Sequence, residues 1–224
     1  MIKEIFIRNK LAQKIAKVIV RRSHVLADPN RYVRCDKRTP NPQVFLKDEY
    51  LKNCEVLSCR EVMLEKIPKG GIWAEVGVAE GYFSDLILKT CKPKKLYMVE
   101  YGEVYCEKLR KRFKEQINSG LVEILQGDSA EMLSRLQDNE LDYVYLDATH
   151  DYEHPKKEME ICNKKVKSTG MIMGHDYVRF SMWENEQYGV IEAVNEFVLT
   201  HDYEMKYITL DVLSSNSSFA LKKR

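Results

Sequence analysis

The 224-residue chain lacks most of the features that mark a secreted, membrane-spanning or zinc-stabilised protein. No apolar run approaches the ~18 residues needed to cross a bilayer. The opening MIKEIFIRNK is broken by Lys3, Glu4 and Arg8, so it lacks the clean apolar stretch of a secretory signal. Six cysteines (Cys35, Cys54, Cys59, Cys91, Cys106 and Cys162) are scattered without a C-x-x-C pair, and read as reduced thiols rather than a disulfide or zinc framework. No internal repeat or low-complexity segment is visible. A large net charge is missing too: 36 basic residues face 34 acidic ones. These absences predict a cytoplasmic globular protein.

The near-neutral total hides an asymmetry. Residues 1–40 carry eleven Lys/Arg and three Asp/Glu, leaving 25 basic and 31 acidic residues in the remainder. The main body therefore lacks the basic balance of a nucleic-acid binder, and no nucleic-acid partner is expected. Residues 3–21 read as an amphipathic helix. At about 100° per residue, Lys3, Lys10, Lys14, Lys17 and Arg21 form one stripe beside an arc of Ile7, Leu11, Ile15, Val18 and Ile19. Such a helix suits three destinations: an anionic inner-membrane surface as a peripheral contact, its own domain, or a second subunit in a homo-oligomer. Pro29, Pro40 and Pro42 mark an irregular linker. The division predicted is 1–52 for helix and linker, and 53–224 for the main domain.

A helix is predicted over 53–66, ending near Pro68-Lys-Gly-Gly71. Short strands then alternate with helices: strands at 72–76, 96–99, 122–125, 143–146 and 171–173, with helices between them and another at 189–199. This alternation implies an α/β fold with a mostly parallel sheet covered on both faces. Residues 205–212 and 218–222 flank Ser214-Ser-Asn-Ser217 with no helix between, and read as an antiparallel hairpin. The total is a Rossmann-like sheet of seven strands with an N-terminal helical extension.

In such sheets ligands bind beyond the carboxyl ends of the strands. The first strand ends in Ala74-Glu-Val-Gly-Val-Ala-Glu-Gly81, where Gly77 permits a tight turn and Gly81 lets the helix start pass close to a ligand. The second strand ends at Glu100, followed by Tyr101. A carboxylate there can accept both hydroxyls of a ribose. The third leads to Gly127-Asp128-Ser129, where Asp128 can accept from an adenine amino group or cap a helix. A G-x-x-x-G loop preceded by an acid, with no basic residue for a phosphate, suits a cationic ligand better than a dinucleotide.

The segments GIWAEVGVAEGYFSDLIL, LYMVE and GDSAEML together resemble the first three motifs of class I S-adenosylmethionine-dependent methyltransferases. The resemblance implies S-adenosylmethionine as cofactor, with Glu75, Gly77 and Gly81 near its methionine end. It also implies Glu100 and Tyr101 at the ribose, and Asp128 and Ser129 at the adenine.

Beyond the fourth and fifth strands lie Asp147-Ala-Thr-His150 and Gly174-His-Asp-Tyr177. Neighbouring parallel strands are ~4.8 Å apart, so Asp147, His175 and Asp176 can converge beside the methyl donor. Two carboxylates with water suit Mg²⁺, and His150 can take a proton from an acceptor hydroxyl. The passage LDYVYLDATHDYEHPKKEMEICNKKVKSTGMIMGHDY resembles a bacterial methyltransferase subfamily with an L-D-x-x-H-x-Y…G-H-D-Y signature, similar to metal-dependent O-methyltransferases of sugars and other small molecules. That resemblance implies Asp147, His175 and Asp176 as metal ligands and His150, with Asp147, as the catalytic group. His175 stands where those relatives carry an acid, which opens the site to Mn²⁺ or Fe²⁺.

The N/D-P-P-Y/F box typical of amino-methylating enzymes of nucleic acids is absent after the fourth strand, favouring an O-directed reaction. Residues 178–189 carry Phe180, Met182, Trp183 and Tyr188, which suit a substrate lid or an oligomer interface equally. The predicted function is metal-assisted O-methylation of a small-molecule or glycan acceptor. A metal-free enzyme using His150 as base, and a non-catalytic adenosylmethionine-binding module, are the other readings.

Overall fold

A computed structural model describes residues 44–181, 184–211 and 216–224. The helix predicted over 3–21, most of the linker, and Met182 and Trp183 lie outside these residues. No helix among those described is long and apolar enough to cross a membrane.

The segment predicted as one helix over 53–66 divides instead into strand β1 (Glu55–Leu57) and helix α1 (Arg60–Lys66). Val56 pairs with the C-terminal part of the chain rather than with its own neighbours, and this pairing overrides helical periodicity. Then follow β2 (Ile72–Val76), α2 (Tyr82–Cys91), β3 (Lys95–Glu100), α3 (Glu103–Arg112) and α4 (Lys114–Asn118). The next group is β4 (Val122–Gln126), α5 (Ser129–Arg135), β5 (Leu141–Leu146), α6 (Glu153–Lys165) and β6 (Val166–Gly174). The chain ends with the two-residue strands β7 (Phe180–Ser181) and β8 (Glu186–Gln187), helix α7 (Val190–His201), β9 (Tyr203–Thr209) and β10 (Phe219–Lys223).

All seven predicted strands form, and β1 adds an eighth, in the order β1-β9-β10-β6-β5-β2-β3-β4. Only β10 runs antiparallel to its neighbours in this sheet. The central strand β2 alternates across the sheet. Trp73 faces a core layer with Met63, Ile87, Leu96 and Leu109, while Ala74 and Val76 face a second layer with Leu133, Met159, Val194 and Phe197. Burial on both faces explains why these strands read as near-continuous apolar runs. Glu75 breaks that pattern on the first face. The order reverses at β2, with β3 on one side and β5 on the other, so a crevice opens between their carboxyl ends.

Candidate active site

The glycine loop connects β2 to α2 at this crevice. Gly77 has φ +83°, and a Cβ there would lie 2.1 Å from the carbonyl oxygen of Asp147. Only glycine lets the end of β2 approach the backbone leaving β5 so closely. Gly81 has φ +78°, and its missing Cβ makes room for the side chains of Phe113 and Leu109. The left-handed φ and this close packing both call for glycine here.

Glu100 ties the loop down. Its Oε2 accepts from the amide of Ala79 and its Oε1 from that of Gly102, each at 2.8 Å. Each oxygen keeps a further lone pair, and the side chain is only partly covered. A cleft of about 520 Å³ opens here, and Gly77, Glu100, Tyr101, Asp128, Ser129 and Asp147 all line it. His154, paired to Asp151 at 2.6 Å, also faces this cleft. Asp128 caps α5 by accepting from the amide of Glu131 at 3.0 Å. Ser129 donates to the buried Glu158 at 2.5 Å. Burial pushes Glu158 up to about 7, against the pull of that hydrogen bond.

Glu75 lies behind the loop rather than on the cleft wall. It is 2% exposed and accepts from Ser84 of α2 at 2.5 Å. Burial raises its pKa to about 8, although the Ser84 hydrogen bond pulls the other way.

Asp147, which lines the cleft, also belongs to a cluster with His150 and Asp176 in which one potential ligand atom of each lies within 4.8 Å of the others. His150 Nε2 is 2.8 Å from Asp176 Oδ2 and 3.9 Å from Asp147 Oδ1. The shorter contact is off the N–H axis, so Nε2 is buried without a well-formed hydrogen bond. Burial lowers the His150 pKa, but the Asp147 and Asp176 carboxylates outweigh it and raise the ring to about 10. Asp176 adopts φ +60°, a left-handed conformation that Asp tolerates better than most residues. Its other oxygen accepts from Asn216 at 2.6 Å. Burial works against its charge, and His150, His175 and Asn216 together still hold its pKa below the ordinary range.

His175 does not join this cluster. Its Nδ1 lies 3.3 Å from Ser218 Oγ, which also meets the hydroxyl of Tyr145 at 3.1 Å. In its place the fold brings His150.

Glu184, Asn216 and Arg60 carry no signal in the sequence, and Tyr188 carries one only for a lid or an interface. Tyr188, expected in a lid or interface, is buried with its ring centroid 4.4 Å from that of His150. It donates to Glu184 at 2.5 Å, whose carboxylate is 3.8 Å from His150 Nδ1. Asn216 arrives from the turn before β10. Arg60, the first residue of α1, places NH1 3.7 Å from Asp147 Oδ2 and its guanidinium 4.7 Å from the centre of the Phe83 ring.

Comparison with known proteins fits this arrangement. Residues 74–177 match the methyltransferase-domain family, a span running from the glycine-loop strand to just past Asp176. No curated protein matches significantly. Among solved structures, the chain is similar to a precorrin-6Y C5,15-methyltransferase from Geobacter metallireducens, with TM-score 0.55, 14% identity, and 82% and 91% of the two chains covered. It is similar to the B. subtilis tRNA (m1A22) methyltransferase, with TM-score 0.57, 13% identity, and 75% and 67% covered. A third similar fold is a putative rRNA methylase from Clostridium thermocellum, with TM-score 0.58, 9% identity, and 73% and 93% covered. Likeness at these identities speaks to fold, and these three proteins are named for different substrates. Residues 74–177 thus resemble a methyltransferase domain carried on a Rossmann-like sheet.

Proposed function

We propose that this protein transfers the methyl group of S-adenosylmethionine to a hydroxyl of a small polar acceptor, such as a sugar, with help from a divalent ion at Asp147, His150 and Asp176. The observation that carries the proposal is the convergence of those three ligand atoms, with the orphaned Nε2 of His150 among them. Asp147 belongs both to this cluster and to the cofactor cleft, so the ion would sit next to the methyl donor. Two carboxylates and one imidazole suit Mn²⁺ or Fe²⁺ better than Mg²⁺, which prefers oxygen alone. When bound, such an ion lowers the pKa of a coordinated hydroxyl and orients its oxygen.

The remaining work falls to the chain itself. Glu100 and the loop it fastens would hold the adenosine half, and the crevice would fix the sulfonium for in-line attack. His150 is assigned here as a ligand. As a free base it would need a neutral ring, whereas its two carboxylate neighbours favour the charged one. The metal-free reading draws on Glu184, which stands 3.8 Å from Nδ1 and could orient His150 as a base. A small acceptor is favoured over nucleic acid by the acidic balance of residues 41–224.

Titration of the full chain with Mn²⁺, followed by electron paramagnetic resonance, tests the ligand set. One ion should bind per chain, and D176N and H150Q should abolish binding while H175Q retains it. Failure to bind at millimolar Mn²⁺ would remove the ion. Chelator-insensitive methyl transfer that is lost in H150A would then favour His150 as base.

A further inference from the structure

We propose that Tyr188 and Glu184 act as a positioning pair for His150, keeping the ring proton on Nδ1 so that Nε2 is left for the ion. The inference rests on the ion reading above. When one nitrogen of an imidazole binds a metal, the ring's single proton stays on the other. That second N–H usually meets a carboxylate or carbonyl, which fixes both tautomer and orientation. Nε2 is the nitrogen facing Asp147 and Asp176, so Nδ1 is the one that needs such a partner. Among the described residues, the carboxylate paired with Nδ1 is Glu184, at 3.8 Å. That distance is a charge contact rather than a formed hydrogen bond, and it favours a proton on Nδ1 electrostatically.

Glu184 alone would be a loose anchor, because its side chain is 53% exposed. Tyr188 holds it in place. The Tyr188 hydroxyl donates at 2.5 Å to Glu184 Oε2, the same oxygen that faces Nδ1. The buried Tyr188 ring also lies against the imidazole, with the two planes 32° apart. One side chain therefore restrains both the ring and its carboxylate. The backbone supports the pair: the amide of Tyr188 donates to the carbonyl of Arg179 at 2.9 Å, and that of Gly189 to the carbonyl of His150 at 2.7 Å. A Cβ at Gly189 would lie 2.5 Å from the amide nitrogen of Tyr152, so glycine is what permits this approach. The Glu184 amide donates to Ser181 Oγ at 3.3 Å, and Arg179 Nε reaches the buried Glu192 of α7 at 3.1 Å. A mere packing role asks nothing of the Tyr188 hydroxyl or the Glu184 charge, and here the two are joined beside Nδ1.

The test uses the full chain with ¹⁵N-labelled histidine, Zn²⁺ as a diamagnetic probe, and long-range ¹H–¹⁵N NMR. The His150 signals are those lost in H150Q. The wild-type spectrum should show Nε2 metallated and Nδ1 protonated. In E184A the Nδ1–H signal should broaden through faster exchange with water. Mn²⁺ affinity, read by electron paramagnetic resonance, should fall ~10–100-fold in the same variant. The loss should be smaller in E184Q, whose amide oxygen can still accept, and Y188F should also lose affinity although its ring remains. Variants that bind Mn²⁺ as the wild type does, or lose affinity with the Nδ1–H signal unchanged, would overturn the assignment. A wild-type spectrum with the ion on Nδ1 and the proton on Nε2 would overturn it without any variant, should E184A not fold. A wild-type chain that binds neither ion is a different result: it would defeat the ion reading itself, and this assignment with it.

Discussion

Gly77 shows how much of this site is decided by single atoms. A methyl group at that position would meet the backbone of Asp147 and would also have to adopt a left-handed φ. Gly77→Ala should therefore cost about 2–4 kcal/mol of stability, visible as a lower Tm, and an unchanged Tm would contradict the close approach described. The neighbouring glycine teaches the opposite lesson. G-x-x-x-G at a strand end is legible as a ligand loop, but the reason for Gly81 lies in Phe113 and Leu109, which no local pattern connects to it. Asp128 is similar, because its cap on α5 is visible in the sequence as an option and only the fold shows the carboxylate so engaged. Ser129, in turn, spends its hydroxyl on Glu158.

At the scale of elements, alternating strands and helices are readable because the central strands are buried on both faces and the longer helices on one. Where partners are distant in sequence, the reading fails. β1 reads locally as helix because its stabilising neighbour, β9, lies some 150 residues later. Arg60 and Asn216 escape a local reading for the same reason: a helix start and a turn reach the site only through topology. Asn216 gives a test at this scale. It holds the free oxygen of Asp176, and such supporting contacts are commonly worth 10–100-fold in metal affinity. Asn216→Ala should weaken Mn²⁺ binding by about that factor while leaving S-adenosylhomocysteine binding unchanged. Equal loss of both would show instead that the β9–β10 turn is needed for the whole site. The segment 178–189, expected as a lid or interface, places Tyr188 and Glu184 around His150. Its aromatic character is legible, and its placement against His150 is not.

For the whole molecule, the ionisable residue in the central strand is a measurable liability. Glu75 has a folded pKa of about 8 against an ordinary value of 4.5. Between those values the folded state binds more protons than the unfolded state, so stability falls as pH rises from about 4.5 through 8. A tenfold difference in proton affinity between the two states corresponds to about 1.4 kcal/mol, which makes the total a few kcal/mol for this fully buried group. Glu75→Gln should remove that part of the slope, so that the variant gains stability over the wild-type chain between pH 5 and 9. Parallel stability profiles for the two proteins would contradict the buried, proton-retaining carboxyl. The strand order and the crevice at β2 and β5 are properties of the sheet as a whole, whereas the acids near the ends of three successive strands are legible one by one. The methyl acceptor leaves no such signature in the sequence.

Everything proposed for the ion and its neighbouring methyl donor requires the cleft lined by Gly77 and Asp128 to be a cofactor site. Calorimetric titration of the full chain with S-adenosylhomocysteine measures that directly. Saturable binding of one ligand per chain, retained in the presence of chelator and weakened at least tenfold by Glu100→Ala, is the predicted result. No binding at millimolar ligand, or binding indifferent to Glu100, would contradict it.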